Sequence, residues 1–118
     1  MKNMNFIEID LSDLDHVRNG CSEILKKFKK PINSIICNAA VYKPRLRKPE
    51  RSPQGFENSM AVNHFGHFLL INLLLDNILS SEKEINVNGK TTKFKPRITI
   101  LGTVTANYSE LGLSLIHI

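Results

Sequence analysis

Apolar and polar positions alternate over Asn5-Phe6-Ile7-Glu8-Ile9, and the alternation predicts a short strand closed by the polar Asp10. From Leu14 the period changes: Val17, Cys21, Ile24, Leu25 and Phe28 recur at helical spacing until Pro31 stops the pattern. Ser12, with Asp15 three residues on, predicts the N-cap of that helix. Lys26, Lys27, Lys29 and Lys30 suit the negative end of its dipole. Ser34-Ile35-Ile36-Cys37 is short and almost wholly apolar, as buried parallel strands are, and Asn38 ends it. Ser52-Pro53 predicts a cap and first helical residue for a second helix running to about Leu79. Its Phe56, Met60, Phe68, Leu69, Leu73 and Leu75 cover more than one stripe, so it is expected to lie between the sheet and a second partner. Ser80 to Pro96 is polar, contains Asn88-Gly89, and is expected to be a surface loop or insertion. Arg97-Ile98-Thr99-Ile100-Leu101 is the third strand, followed by Gly102-Thr103. Strand, helix, strand, helix, strand in sequence predicts an α/β fold with a right-handed parallel layer.

Length and composition narrow this without redirecting it. The 118 residues, 42% of them hydrophobic and 23% charged, describe one globular unit rather than a disordered or fibrous chain. The longest apolar stretch, Phe65 to Leu75, is too short to span a bilayer and contains His67 and Asn72. Neither a secretory leader nor an Arg- and Ser-rich transit segment is read at Met1-Lys2-Asn3-Met4. Two cysteines at unlike positions, Cys21 in a helical pattern and Cys37 at a strand end, point to a reducing compartment rather than a disulfide scaffold. Of the sixteen basic residues behind the net charge of +5, nine lie between Lys26 and Arg51. That stretch holds only Phe28 and Tyr42 as aromatics and no nucleic-acid motif, so it is read as a solvated helix end and loop, with no nucleic acid as partner.

In open parallel sheets ligands bind beyond the carboxyl ends of the strands, and Asp10, Asn38 and Thr103 are the polar residues at those three ends. Singly, each is also a good turn former or strand residue; together, with the small Ala39 and Ala40 beside them, they favour a nucleotide-type cofactor. Asp10-Leu11-Ser12 after a strand, Asn38-Ala39-Ala40 after the next, Asn63 within a Val62-Asn63-His64-Phe65-Gly66-His67-Phe68 helix, and Gly102-Thr103 after the third strand, in that order, resemble the middle of a short-chain dehydrogenase/reductase. Within that superfamily, Cys37 to Tyr42, Arg51 to Glu57 and Ile100 to Asn107 look most like the light-dependent, NADPH-using protochlorophyllide reductases.

The resemblance, which covers roughly Asn5 to Gly112, implies the central part of a Rossmann-type doubly wound parallel sheet, truncated at both ends. Residues 1–112 would form a partial NAD(P)-binding domain and 113–118 a divergent tail, expected to be artefactual. Asp10 would accept from the adenine amino group, with Leu11 beside it, because a carboxylate offers acceptors only. Asn38, Ala39 and Ala40 would line the NADPH cleft. Asn63 would hold a water in a proton relay, Thr103 would stand at the hydroxyl position that orients substrate and catalytic tyrosine, and Tyr42 would border the pocket for the protochlorophyllide pigment. A plastid location, or cytoplasm and thylakoid surface in a cyanobacterium, peripheral membrane association and homo-oligomerisation of the complete protein are implied in the same way.

The alternatives are a retinol-dehydrogenase-like reductase and a non-catalytic dinucleotide-binding protein. The family's Gly-rich phosphate loop would precede the first strand and its Tyr-x-x-x-Lys pair would follow the third, and these 118 residues contain neither. The chain alone is therefore expected to be inactive. The strand at Asn5 to Ile9 is expected to lack a neighbour, because in the order 3-2-1-4-5-6 the strands present are the third, fourth and fifth. His64 and His67 have no third ligand at suitable spacing, so they are read as packing or hydrogen-bonding residues and no metal is expected. Cys37 is read as a small core residue.

Overall fold

A helix begins where its first free N–H groups find acceptors, and here Asp13 supplies one. In extended backbone (φ −110°, ψ 109°), it accepts from the Asp15 N–H and opens α1, Leu14–Lys27. The expected cap, Ser12, is engaged elsewhere: its N–H and Oγ both donate to Asp10 Oδ1, at 2.8 and 2.7 Å. Asp13 is held in turn by Gln54, whose Nε2 donates to Asp13 Oδ1 at 2.9 Å while its Oε1 accepts from the Leu14 N–H at 3.2 Å. The helix closes well before Pro31, where Phe28 turns extended and donates its N–H to the Ile24 carbonyl. A computed structural model provides these coordinates and describes residues 4–43 and 48–102.

The strand β1, Ser34–Cys37, has the bounds its apolar run predicts. It pairs in parallel with the last strand of the described residues, Arg97–Ile100, in the register Ser34↔Arg97 to Cys37↔Ile100. The fourth and fifth strands of a doubly wound sheet are neighbours in the same way. Asn5 to Ile9 form no strand: a strand exists by its ladder, and among the described residues none offers them one.

The second helix starts later than Ser52-Pro53 predicts. Residues 52–56 make a turn in which the Ser52 N–H donates to the Phe56 carbonyl, Ser52 Oγ accepts from the Phe56 N–H, and Gly55 takes φ +86°. With the Ser52 hydroxyl engaged there, Glu57 becomes the cap, its carboxylate accepting from the Ser59 and Met60 N–H groups at 3.0 and 2.9 Å. The helix then runs through α2 (Asn58–Met60), a wider π turn at Ala61–Gly66, and α3 (His67–Leu79), ending where the pattern placed it.

The stretch expected as a loop is a β-hairpin. β2 (Lys83–Val87) and β3 (Lys90–Phe94) pair antiparallel around Asn88-Gly89, both at positive φ (53° and 78°), and β4 is Arg97–Ile100. Asn-Gly suits that two-residue turn because both central positions need a left-handed backbone.

Val17 and Cys21 of α1 and Leu74 and Ile78 of α3 form the buried core, with Ile9, Leu11, Ile24, Ile32, Ile35, Leu69 and Leu70 packed around it. Through Ile35 the helices therefore cover one face of β1, while every residue of β4 stays exposed. Ile36 is 67% exposed and Ile100 63%, so among the described residues the strands are not buried on both faces as their composition predicts. The second stripe of α3 is likewise open, with Phe68 60% exposed.

Candidate functional site

Two chain turns converge on the helix that carries the π turn. The first, Asp10-Leu11-Ser12, is tightened by the two bonds from Ser12 to one Asp10 oxygen and by the Asp10 N–H, which donates to His16 Nδ1 at 2.8 Å. The Ser12 hydroxyl and N–H hold the Asp10 carboxyl below its ordinary range, against a smaller opposing effect of burial. Asp10 is exposed and ionised, and its Oδ2 takes no hydrogen bond from the described residues. That oxygen is an open acceptor for an amine.

The second turn follows β1. Asn63 binds both backbone groups of Val41: its Oδ1 accepts from the Val41 N–H at 2.7 Å and its Nδ2 donates to the Val41 carbonyl at 2.9 Å. One turn further along, buried His67 brings Nε2 to 2.8 Å from the Ala39 carbonyl. A carbonyl only accepts, so Nε2 carries the proton. The chain between Ala39 and Val41 is thus fastened to the helix at both ends by residues four apart.

Gly66 brings the first turn to the same helix. A Cβ there would press on the Leu11 carbonyl oxygen and lie 2.9 Å from Leu11 Cβ. Leu11, Asn38, Ala39 and His67 then border one groove of about 280 Å3, with Ile7, Ile9, Ile35 and Cys37 also along it.

Of the residues singled out in the sequence, Leu11, Asn38 and Ala39 come together in this groove, Asp10 stands beside Leu11, and Asn63 meets the end of the loop that contains Ala40. Tyr42 is 87% exposed and outside the groove lining. Thr103 and the tail at 113–118 lie outside the described residues. Sequence reasoning missed Gly66 and Gln54 as positioning residues. The spacing of Asn63 and His67 was a visible signal, since side chains four apart share a helix face. Burial pushes the Cys37 thiol up, which leaves it a protonated core residue. Among the described residues no group of three metal-ligating side chains comes together, and no helix is long and apolar enough to cross a membrane.

Chemically, Asp10 offers an open acceptor for an amine, Leu11 offers apolar surface, and Ala39 offers apolar surface with little side chain to block a flat ring.

The family model for short chain dehydrogenases matches residues 1–93. Among curated proteins, the chain is 36% identical over 111 residues to the chloroplastic protochlorophyllide reductase of Daucus carota, covering 94% of this chain and 25% of that protein. It is 36% identical over 111 residues to that of Chlamydomonas reinhardtii, covering 92% and 24%, and 35% identical over 106 residues to the protochlorophyllide reductase of Avena sativa, covering 90% and 30%. The chain spans about a quarter of the length of the first two relatives and three-tenths of the third.

Proposed function

The chain belongs to the short-chain dehydrogenase family, and from that premise we propose that the full-length protein is an NADPH-dependent oxidoreductase that reduces protochlorophyllide to chlorophyllide in the light. The observation that carries the substrate is the likeness itself: identity of 35–36% spread over at least 90% of this chain, to curated proteins named for that reduction. The convergence of the Asp10 turn and the Ala39–Val41 loop on one helix supports the cofactor.

When bound, the cofactor supplies the hydride. Asp10 would accept from the adenine amino group through its open oxygen, while Ser12 keeps the carboxylate ionised and oriented. Leu11 would lie beside it, and Asn38, Ala39 and Ala40 would line the cleft. Asn63 uses one lone pair and one N–H on Val41, which leaves one of each for a water molecule in a proton relay. Thr103 orients the substrate and Tyr42 borders the pigment. A plastid location accords with the chloroplastic relatives, and the proposal extends to association of the complete protein with itself and with the thylakoid surface.

The test is a flash experiment on the full-length protein with NADPH and protochlorophyllide, recorded by absorbance. Chlorophyllide formed only after illumination supports the reading. Reduction of a retinoid in the dark, without turnover of the pigment, would replace it with a retinol-dehydrogenase-like activity, and no turnover of either would leave a dinucleotide-binding protein.

A further inference from the structure

His67 sits where the helix leaves its π turn, is 8% exposed, and directs Nε2 at the Ala39 carbonyl. A buried imidazole needs a partner, and packing alone would have been met by a phenylalanine like the neighbouring Phe65 and Phe68. The bond fixes the Ala39–Ala40 peptide, at a point where the loop has left the ladder of β1 and β4 and, among the described residues, has no strand to hold it. Asn63 secures the other end at Val41, so the Ala40 peptide is suspended between two side chains of one helix.

We propose that His67 is a positioning residue for the cofactor cleft: by donating Nε2–H to the Ala39 carbonyl it sets the place and orientation of the Asn38–Ala40 backbone against which the dinucleotide packs. This rests on the dinucleotide reading above. A loose loop must be ordered when ligand binds, and that entropy comes off the affinity; a loop already fixed does not carry the cost.

Two substitutions in the full-length protein separate the roles. His67→Phe keeps a ring of similar volume and removes the donor, whereas His67→Gln places an amide N–H at similar reach. Two readouts are taken: NADPH affinity by fluorescence titration, and hydrogen exchange of the Val41 amide, which donates to Asn63, without ligand. His67→Phe is expected to weaken NADPH binding about tenfold and to speed exchange at that amide by a similar factor, the worth of one hydrogen bond. His67→Gln is expected to restore both to within about threefold of the parent protein. A purely packing role would instead show equal losses of thermal stability in both variants, with affinity and local exchange unmoved, and would overturn the proposal. If the parent protein takes up no NADPH, the dinucleotide reading falls and the cofactor role of His67 with it; the exchange comparison still decides whether His67 holds the loop.

Discussion

Gly66 and the Leu11 carbonyl oxygen lie so close that no Cβ fits between them. The contact joins the turn carrying Asp10 to the helix carrying Asn63 and His67, and so relates the two halves of the cleft. The crowding atom belongs to the backbone and cannot rotate away.

Gly66→Ala is therefore expected to destabilise the protein even though it sits in a helix. Helix propensity favours alanine by about 1 kcal/mol, but overpacking against a fixed backbone costs about 1–3 kcal/mol. We expect a net loss of stability in denaturant unfolding and a weaker NADPH complex, because the Asp10 turn is pushed away from the helix. Unchanged or raised stability would show that the turn can move aside freely.

Ser12→Ala removes the larger of the two hydrogen bonds that lower the Asp10 carboxyl from its ordinary value of 3.8. The Asp10 titration, followed by carboxyl-carbon NMR, is expected to move up towards that value. Because the folded value is depressed, the contribution of Asp10 to stability is fully present above about 3.8 and is lost as pH falls through the folded value. In the variant the contribution is smaller, and its loss, which still begins near 3.8, is complete at a higher pH. An unmoved titration would show that the Ser12 hydroxyl does not bind the carboxylate in solution.

Much of this was legible in the chain, and the misreadings share a cause. β1 and the end of α3 fall where the apolar pattern placed them, and β4 ends one residue short of Leu101, since β-branched apolar runs favour extended backbone even where, as in β4, they stand exposed. The helix starts were misplaced because several polar residues competed for each cap. Ser12 turned to Asp10 and Ser52 to Phe56, leaving Asp13 and Glu57 to open the helices. The hairpin was missed because low apolar content outweighed the turn signal at Asn88-Gly89, although a solvated antiparallel pair needs little apolar content to form. Of the site, the strand-end residues were visible one by one; the spacing of Asn63 and His67 puts them on one helix face, but which backbone atoms they bind depends on the path of the loop.

Gly89→Val tests the hairpin directly. Gly89 has φ +78°, where a β-branched side chain is strained by about 1–2 kcal/mol. Amide exchange along β2 and β3 is expected to rise to near the unfolded rate, since the pair has little burial to offset the strain. The β1–β4 ladder shares no pairing with the hairpin and is expected to keep its protection. Loss of protection in both sheets together would mean that the hairpin supports the core.

The last prediction concerns the 118 residues expressed alone. One edge of β1 is paired with β4 and the other has no ladder among the described residues, while Ile36, Ile98, Ile100 and Leu101 stand exposed between 38% and 67%. An open parallel edge beside exposed aliphatic side chains is a template for pairing with another chain. Among the described residues the buried cluster opposing this is small, four side chains from two helices with a partial shell around them. We expect soluble aggregates or precipitate by size exclusion with light scattering, and no sharp thermal transition. Each residue left out of a packed arrangement forfeits burial that would otherwise offset its ordering entropy. A monomer of 13.4 kDa that unfolds cooperatively would show that the two helices and the paired strands suffice, and would remove the argument from the open edge.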